Sequence, residues 1–168
     1  MNRLLHGIDR LNIWVGGLSK WLIVVIAVIM TYDVVMRYAF NAPTIWVFDI
    51  SYMLGGAFFA LGMGYTLLKG SHVRVDVFYS LFSRRTQAII DVVLTLVFFI
   101  PTFALLIHYL VPFVYDSWAT WEKSLESFWR PPIYPFKTVF LISVVLLFLQ
   151  GLAEFVRSIQ IIFRGEKP

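Results

Sequence analysis

The stretch IWVGGLSKWLIVVIAVIMTYDVVM, residues 13–36, carries only Lys20 and Asp33 as charged side chains. At ~1.5 Å per residue, a helix of this length reaches across a ~30 Å hydrocarbon core. Three further stretches satisfy the same condition, at residues 46–68, 88–114 and 134–155, and the last is apolar enough to run on to residue 163. Backbone N–H and C=O groups in lipid must be satisfied within the segment, and none of the four stretches alternates apolar with polar residues. The expectation is an all-α integral membrane protein of four transmembrane helices forming one domain over residues 1–168, with no separate soluble domain.

The composition agrees with this reading. Of the 168 residues, 60% are hydrophobic and 14% charged, and the mean hydropathy is +0.79, far from the mix of a soluble domain. The net charge of +4 does not point to nucleic acid, because the Lys and Arg residues stand singly between apolar runs instead of forming a stripe. The sequence has no Cys, which excludes disulfides, cysteine-ligated metals and thiol nucleophiles. Arg3, Arg10 and Lys20 before an apolar run resemble the start of a signal peptide. That run is long enough to span, however, and no small-x-small cleavage pattern precedes Arg37, so it reads as a retained first span.

The cations set an orientation. Arg3, Arg10 and Lys20 precede the first span, Lys69, Arg74, Arg84 and Arg85 lie between the second and third, and Arg157, Arg164 and Lys167 follow the fourth. Only Arg37, Lys123, Arg130 and Lys137 occupy the other two connections. The positive-inside rule then places both termini and the middle loop in the cytoplasm. All six Trp fall near span boundaries, as an interfacial aromatic belt would. Leu4, Ile8, Leu11 and Val15 recur at helical spacing, so a short amphipathic segment is expected along the inner leaflet.

Candidate functional residues are few. Asp33 and Arg37, one turn apart, fit a local ion pair; alternatively Arg37 reaches Asp49 and closes the first hairpin through Asn41, Pro43 and Trp46. Gly56, Ala60 and Gly64 recur every four residues, with Gly55 and Gly62 beside them. This bulk-free face suits close helix packing, either within the chain or against a larger membrane subunit. The string His72-Val73-Arg74-Val75-Asp76-Val77 suits a segment at the cytoplasmic interface, with Arg74 near lipid phosphates. Pro101 predicts a kink in the third span, and His108 in the same span reads as a buried, hydrogen-bonded side chain. Glu154 and Arg157 fit an i,i+3 pair. With only His6, His72 and His108 present, no metal, haem or other cofactor is expected. No phosphate-binding glycine loop, zinc-protease motif or nucleophile elbow occurs, so an enzyme is not expected.

Asp33, Arg37, Asn41, Pro43, Trp46 and Asp49, followed by the glycine-rich helix and the string from His72 to Asp76, resemble the small membrane subunit of tripartite ATP-independent periplasmic (TRAP) transporters. Trp129-Arg130-Pro131-Pro132-Ile133-Tyr134-Pro135 and Leu149-Gln150-Gly151 are similar to that family too, so the resemblance covers nearly the whole chain. It implies a bacterial inner-membrane secondary transporter with two other components. A periplasmic binding protein delivers an organic anion to a large elevator-type membrane subunit, which carries the substrate and sodium sites. This chain would be a non-catalytic scaffold that binds no substrate. The family commonly has Glu at the position of Asp49. On this reading Gly55, Gly56, Ala60 and Gly64, or the first helix, meet the large subunit, and Trp118, Trp121 and Trp129 lie near the arriving binding protein. The competing expectation is a small autonomous transporter or channel that self-associates through the same face.

Overall fold

A computed structural model describes residues 2–70 and 82–164 of the chain. Five α-helices account for the four spans: α1 (Asn2–Ala39), α2 (Trp46–Leu68), α3 (Arg84–Leu94), α4 (Ile100–Ala119) and α5 (Tyr134–Arg164). All four spans are long and apolar enough to cross a membrane, and no strand occurs among the described residues. The chain is an all-α, multi-pass membrane protein.

α3 and α4 belong to one span, joined by a π-helical segment, Thr95–Phe99. The cause is Pro101. Its ring nitrogen has no hydrogen to donate, and its ring displaces the carbonyl one turn back. The Ile100 N–H bonds instead to the Thr95 carbonyl, so a single widened turn absorbs the misfit without breaking the helix. Pro112 lies inside α4 as well. At its start α3 is capped by Ser83, whose Oγ accepts from the Thr86 N–H at 3.3 Å, the geometry that satisfies a free helical donor.

At ~1.5 Å per residue, the 38 residues of α1 extend ~57 Å, well beyond a ~30 Å core. The amphipathic stretch that starts the sequence is the opening turns of this same helix, not a separate surface element. Leu4 and Leu11 on its apolar face are exposed, whereas Asp9 and Asn12 turn toward α5, where both bond to Gln150.

The helices form a row. α1 packs on α2, α2 on α5, and α5 on α3 and α4, while α1 also touches α5 near the termini. α5 is therefore central and α1 and α4 are flanks. In the most apolar 18-residue window of each span, 6% of the first and 0% of the third is buried, against 28% and 39% of the second and fourth. The buried apolar core consists of small and medium residues from the inner helices, among them Ala57, Ala60, Val144, Leu147 and Ala153. Close approach depends on glycine at three crossings. A Cβ on Gly16 would lie 2.6 Å from the Tyr65 Cβ, one on Gly56 would lie 2.8 Å from the Phe136 ring, and one on Gly151 would overlap the Phe99 ring.

Candidate functional site

Two polar clusters close the row, one at each end. The first lies on the side of the chain termini and joins α1 to α5. Gln150 is fully buried, at 0% exposure. Its Oε1 accepts from Asn12 Nδ2 at 3.0 Å, and its Nε2 donates to Asp9 Oδ1 at 3.1 Å and to Glu154 Oε1 at 3.2 Å. Arg157 donates to both carboxylates, to Glu154 at 2.5 Å and to Asp9 through its other terminal nitrogen. Two acids and one guanidinium thus share a buried amide, and Arg157 offsets one of the two negative charges while all three charged groups keep partial access to the surface. Asn12 Oδ1 packs against Gly64 of α2, where a Cβ would overlap it, and accepts no hydrogen bond there among the described residues. The expected Glu154–Arg157 pair is present. Asp9, Asn12 and Gln150 are its partners that local spacing does not reveal, because they lie 138 to 141 residues apart in pairs.

The second cluster lies on the opposite side. Asp33 is buried and receives Arg37 at 2.6 Å, the local pair of the two alternatives. Its other oxygen accepts from the Thr44 N–H at 3.1 Å and from the Thr44 hydroxyl. The first hairpin is therefore closed from Asp33 to Thr44, around an Asn41 with φ of 51°, a left-handed conformation that Asn tolerates. Arg37 is not paired with Asp49. Asp49, 2% exposed, accepts instead from Ser127 Oγ, 78 residues away in the second connection. The physical reason is distance along the helix. Arg37 is one turn beyond Asp33 on the same face, whereas Asp49 sits in the first turn of α2, where the helix dipole favours an acid, beneath the loop that carries Ser127.

That loop, residues 120–133, is tied down along its length. Ser124 donates to the Pro131 carbonyl at 2.8 Å and Ile133 to the Glu122 carbonyl at 3.0 Å, around an isolated antiparallel bridge between Lys123 and Pro132. Lys137 forms an ion pair with Glu122 and lies 3.8 Å from the centre of the Phe113 ring. The hydrogen bond from Lys137 holds the Glu122 carboxyl below its ordinary value of 4.5. Trp118 donates from its indole to Thr138 Oγ1 at 2.8 Å, and Trp118 and Trp121 pack on Tyr134 with ring centres 4.4 and 5.6 Å away. Trp121 and Arg130 adopt φ of 50° and 48°, a costly backbone for residues other than Gly or Asn that persists where surrounding contacts dictate it. From this fixed frame Leu125 and Phe128 project fully, at 84% and 102% exposure, with Trp121 and Trp129 beside them.

The other expected residues separate into three groups. Gly56, Ala60 and Gly64 face this chain's own helices: Ala60 is buried, Gly56 meets Phe136 of α5 and Gly64 meets Asn12 of α1. The alternative of packing within the chain is the one realised, because the residues with which they interlock lie on α1 and α5. Gly55 has open space beside it. His108 is exposed on α4, its ring edge against Tyr109, and is not buried by this chain as the sequence suggests; among the described helices α4 packs mainly on α5, so most of its circumference is uncovered. His72, Arg74 and Asp76 lie outside the described residues.

No group of three or more His, Asp or Glu side chains stands close enough to hold a metal among the described residues. A cavity of about 560 Å³ between α3 and α5 is bordered by Arg84, Asp91, Glu154 and Arg157, side chains already engaged in the ion pairs above or in other contacts. Nucleophile, base and oxyanion donors do not converge anywhere in these clusters; what the clusters do is fix helices and loops.

A comparison with curated proteins returned no match. A family model described as tripartite ATP-independent periplasmic transporters, DctQ component, matches residues 26–161, from the middle of α1 through nearly all of α5. The match includes the Asp33 hairpin, the loop held by Asp49 and Glu122, and Gln150 with Gly151, so the chain belongs to the DctQ component family of these transporters.

Proposed function

We propose that this chain is the small, non-catalytic membrane subunit of a secondary transporter in a bacterial inner membrane. It acts as a scaffold beside a large elevator-type subunit in binding-protein-dependent, ion-coupled uptake of an organic anion. Both termini face the cytoplasm, as the distribution of Lys and Arg supports. The observation that carries the reading is the engagement of the polar side chains. A route for a charged solute needs polar groups that face a shared cavity. Here Asp9, Asn12, Gln150 and Arg157 hold α1 to α5, Asp33 closes a hairpin, and Asp49 fastens a loop.

The large subunit docks on the α4 flank. His108 lies exposed inside the third span, and an imidazole directed at hydrocarbon is costly unless a partner covers it. The small-residue face of Gly56, Ala60 and Gly64 is filled by α1 and α5, so it is not the docking face. The knuckle of Leu125 and Phe128, with Trp121 and Trp129, meets the binding protein on the periplasmic side.

The test is a photo-cross-linking amino acid placed at Tyr109, beside His108, and separately at Val28 on the α1 flank, in cells expressing the chain with its neighbouring genes. A large polytopic membrane protein cross-linked from position 109 and co-purifying in constant ratio is the expected result. Cross-links only between copies of this chain would overturn the reading in favour of a self-associating protein.

A further inference from the structure

α2 and α4 both rest on α5 rather than on each other, and on the side of the hairpin loops this leaves a groove between them. Its volume is about 310 Å³, with Tyr52 on the α2 wall, Leu110 and Phe113 on the α4 wall, and Phe136, Lys137 and Phe140 on the α5 floor. A space of this size would take roughly ten water molecules at ~30 Å³ each, but water needs several polar partners and the side chains of these walls supply one ammonium and one phenol hydroxyl. The groove lies within membrane-spanning helices and opens between them, so the medium beside it is acyl chain.

Its mouth has the chemistry of a headgroup site. Trp118, Trp121 and Tyr134 cluster at the same level, where aromatic rings mark the boundary between hydrocarbon and headgroups. Lys137, 11% exposed in its side chain, points its ammonium across the Phe113 ring to Glu122, which is 42% exposed. The cation is therefore the inner group and the carboxylate the outer one. A phosphate beside Lys137 and an ammonium beside Glu122 would complete both charges, whereas a second anion would meet Glu122.

We infer that the α2–α4–α5 groove is a phospholipid site, holding one acyl chain along Leu110 and Phe140 and selecting, through Lys137 and Glu122, a zwitterionic headgroup with a terminal ammonium. The inference needs only the membrane reading and would stand if the transporter assignment fell.

Native mass spectrometry of the purified full chain and of its co-expressed complex tests it, with phosphatidylethanolamine and phosphatidylglycerol of identical acyl chains as probes. One retained phosphatidylethanolamine is expected, preferred at least about tenfold over phosphatidylglycerol, as one charge-assisted contact would give. Lys137→Met should abolish the preference, and Lys137→Arg should restore it. Leu110→Trp, which fills the groove without touching the ion pair, should remove the lipid from a folded protein. Equal retention of the two lipids, or retention unchanged in L110W, would overturn the inference. So would cross-links from position 110 to a partner protein in place of lipid.

Discussion

The two ends of the helix row are closed by different chemistry. On the side of the termini, a buried amide, two carboxylates and a guanidinium join α1 to α5 at helix interiors, where Gly64 leaves room for Asn12. On the other side, carboxylates fasten loops: Asp33 holds Thr44, Asp49 holds Ser127, and Glu122 holds Lys137. The first cluster is a connected network around the buried Gln150, with Asp9, Arg157 and Glu154 partly exposed at its margin, so each member depends on the others; the second is a set of separate fasteners, of which Asp33 and Asp49 are buried and Glu122 is half-exposed. The expectation is that damage at the first spreads through the whole row, while damage at the second stays with one loop.

The largest effect expected follows from Gln150→Leu, which removes one of the two acceptors of Asn12 Nδ2, leaving the Ile8 carbonyl, and takes a donor from both Asp9 and Glu154. Buried unsatisfied groups cost ~1–3 kcal/mol each, so thermal unfolding in mild detergent should show a marked loss of stability, felt at α1 and α5 together. Gly64→Leu comes next. Its side chain enters the space of Asn12, and overpacking costs ~1–3 kcal/mol; the folded fraction recovered by size-exclusion chromatography should fall, with or without a partner subunit. A drop only when the partner is present would reverse the assignment of this face.

Effects at the other end are smaller. Ser127→Ala should free the second loop from α2, costing about 1.5 kcal/mol, the low end for one hydrogen bond to a charged group, and should raise proteolysis between residues 120 and 133 without loosening α1. Glu122→Gln is the smallest, because the substituted amide oxygen can still accept from Lys137 and the charge it removes sits on the exposed side of the pair, where it contributes ~0–1 kcal/mol. The Glu122 carboxyl is depressed below 4.5 in the folded chain. Its contribution is therefore complete at neutral pH and is lost as pH falls below that value and through the folded pKa. A stability profile over this range should be flatter in E122Q than in the parent.

How far the sequence discloses this arrangement depends on the range of each signal. The four spans are local properties of composition, and each falls within an observed helical span, although α1 begins well before the first and α5 runs on beyond the fourth. The Asp33–Arg37 and Glu154–Arg157 pairs follow from helical spacing. Asp49 with Ser127 and Asn12 with Gln150 do not, since no period links residues 78 or 138 positions apart. Gly56, Ala60 and Gly64 show their smallness plainly, but one strand of sequence does not say which helix fills the space. His108 is the reverse case: a polar residue in an apolar run suggests burial, yet α4 is a flank. Pro101 correctly marks a disturbance in the third span, realised as a π-helical turn.

The central claim is that these polar clusters hold a scaffold together and do not conduct a solute. Reconstitution into liposomes tests it directly, with uptake of a transported organic anion measured for this chain alone, for the large subunit and binding protein without it, and for all three. The account predicts uptake only with all three components present, and a Gln150→Leu variant that fails through lost assembly. Uptake by this chain alone, abolished in Q150L while the protein remains folded, would contradict it.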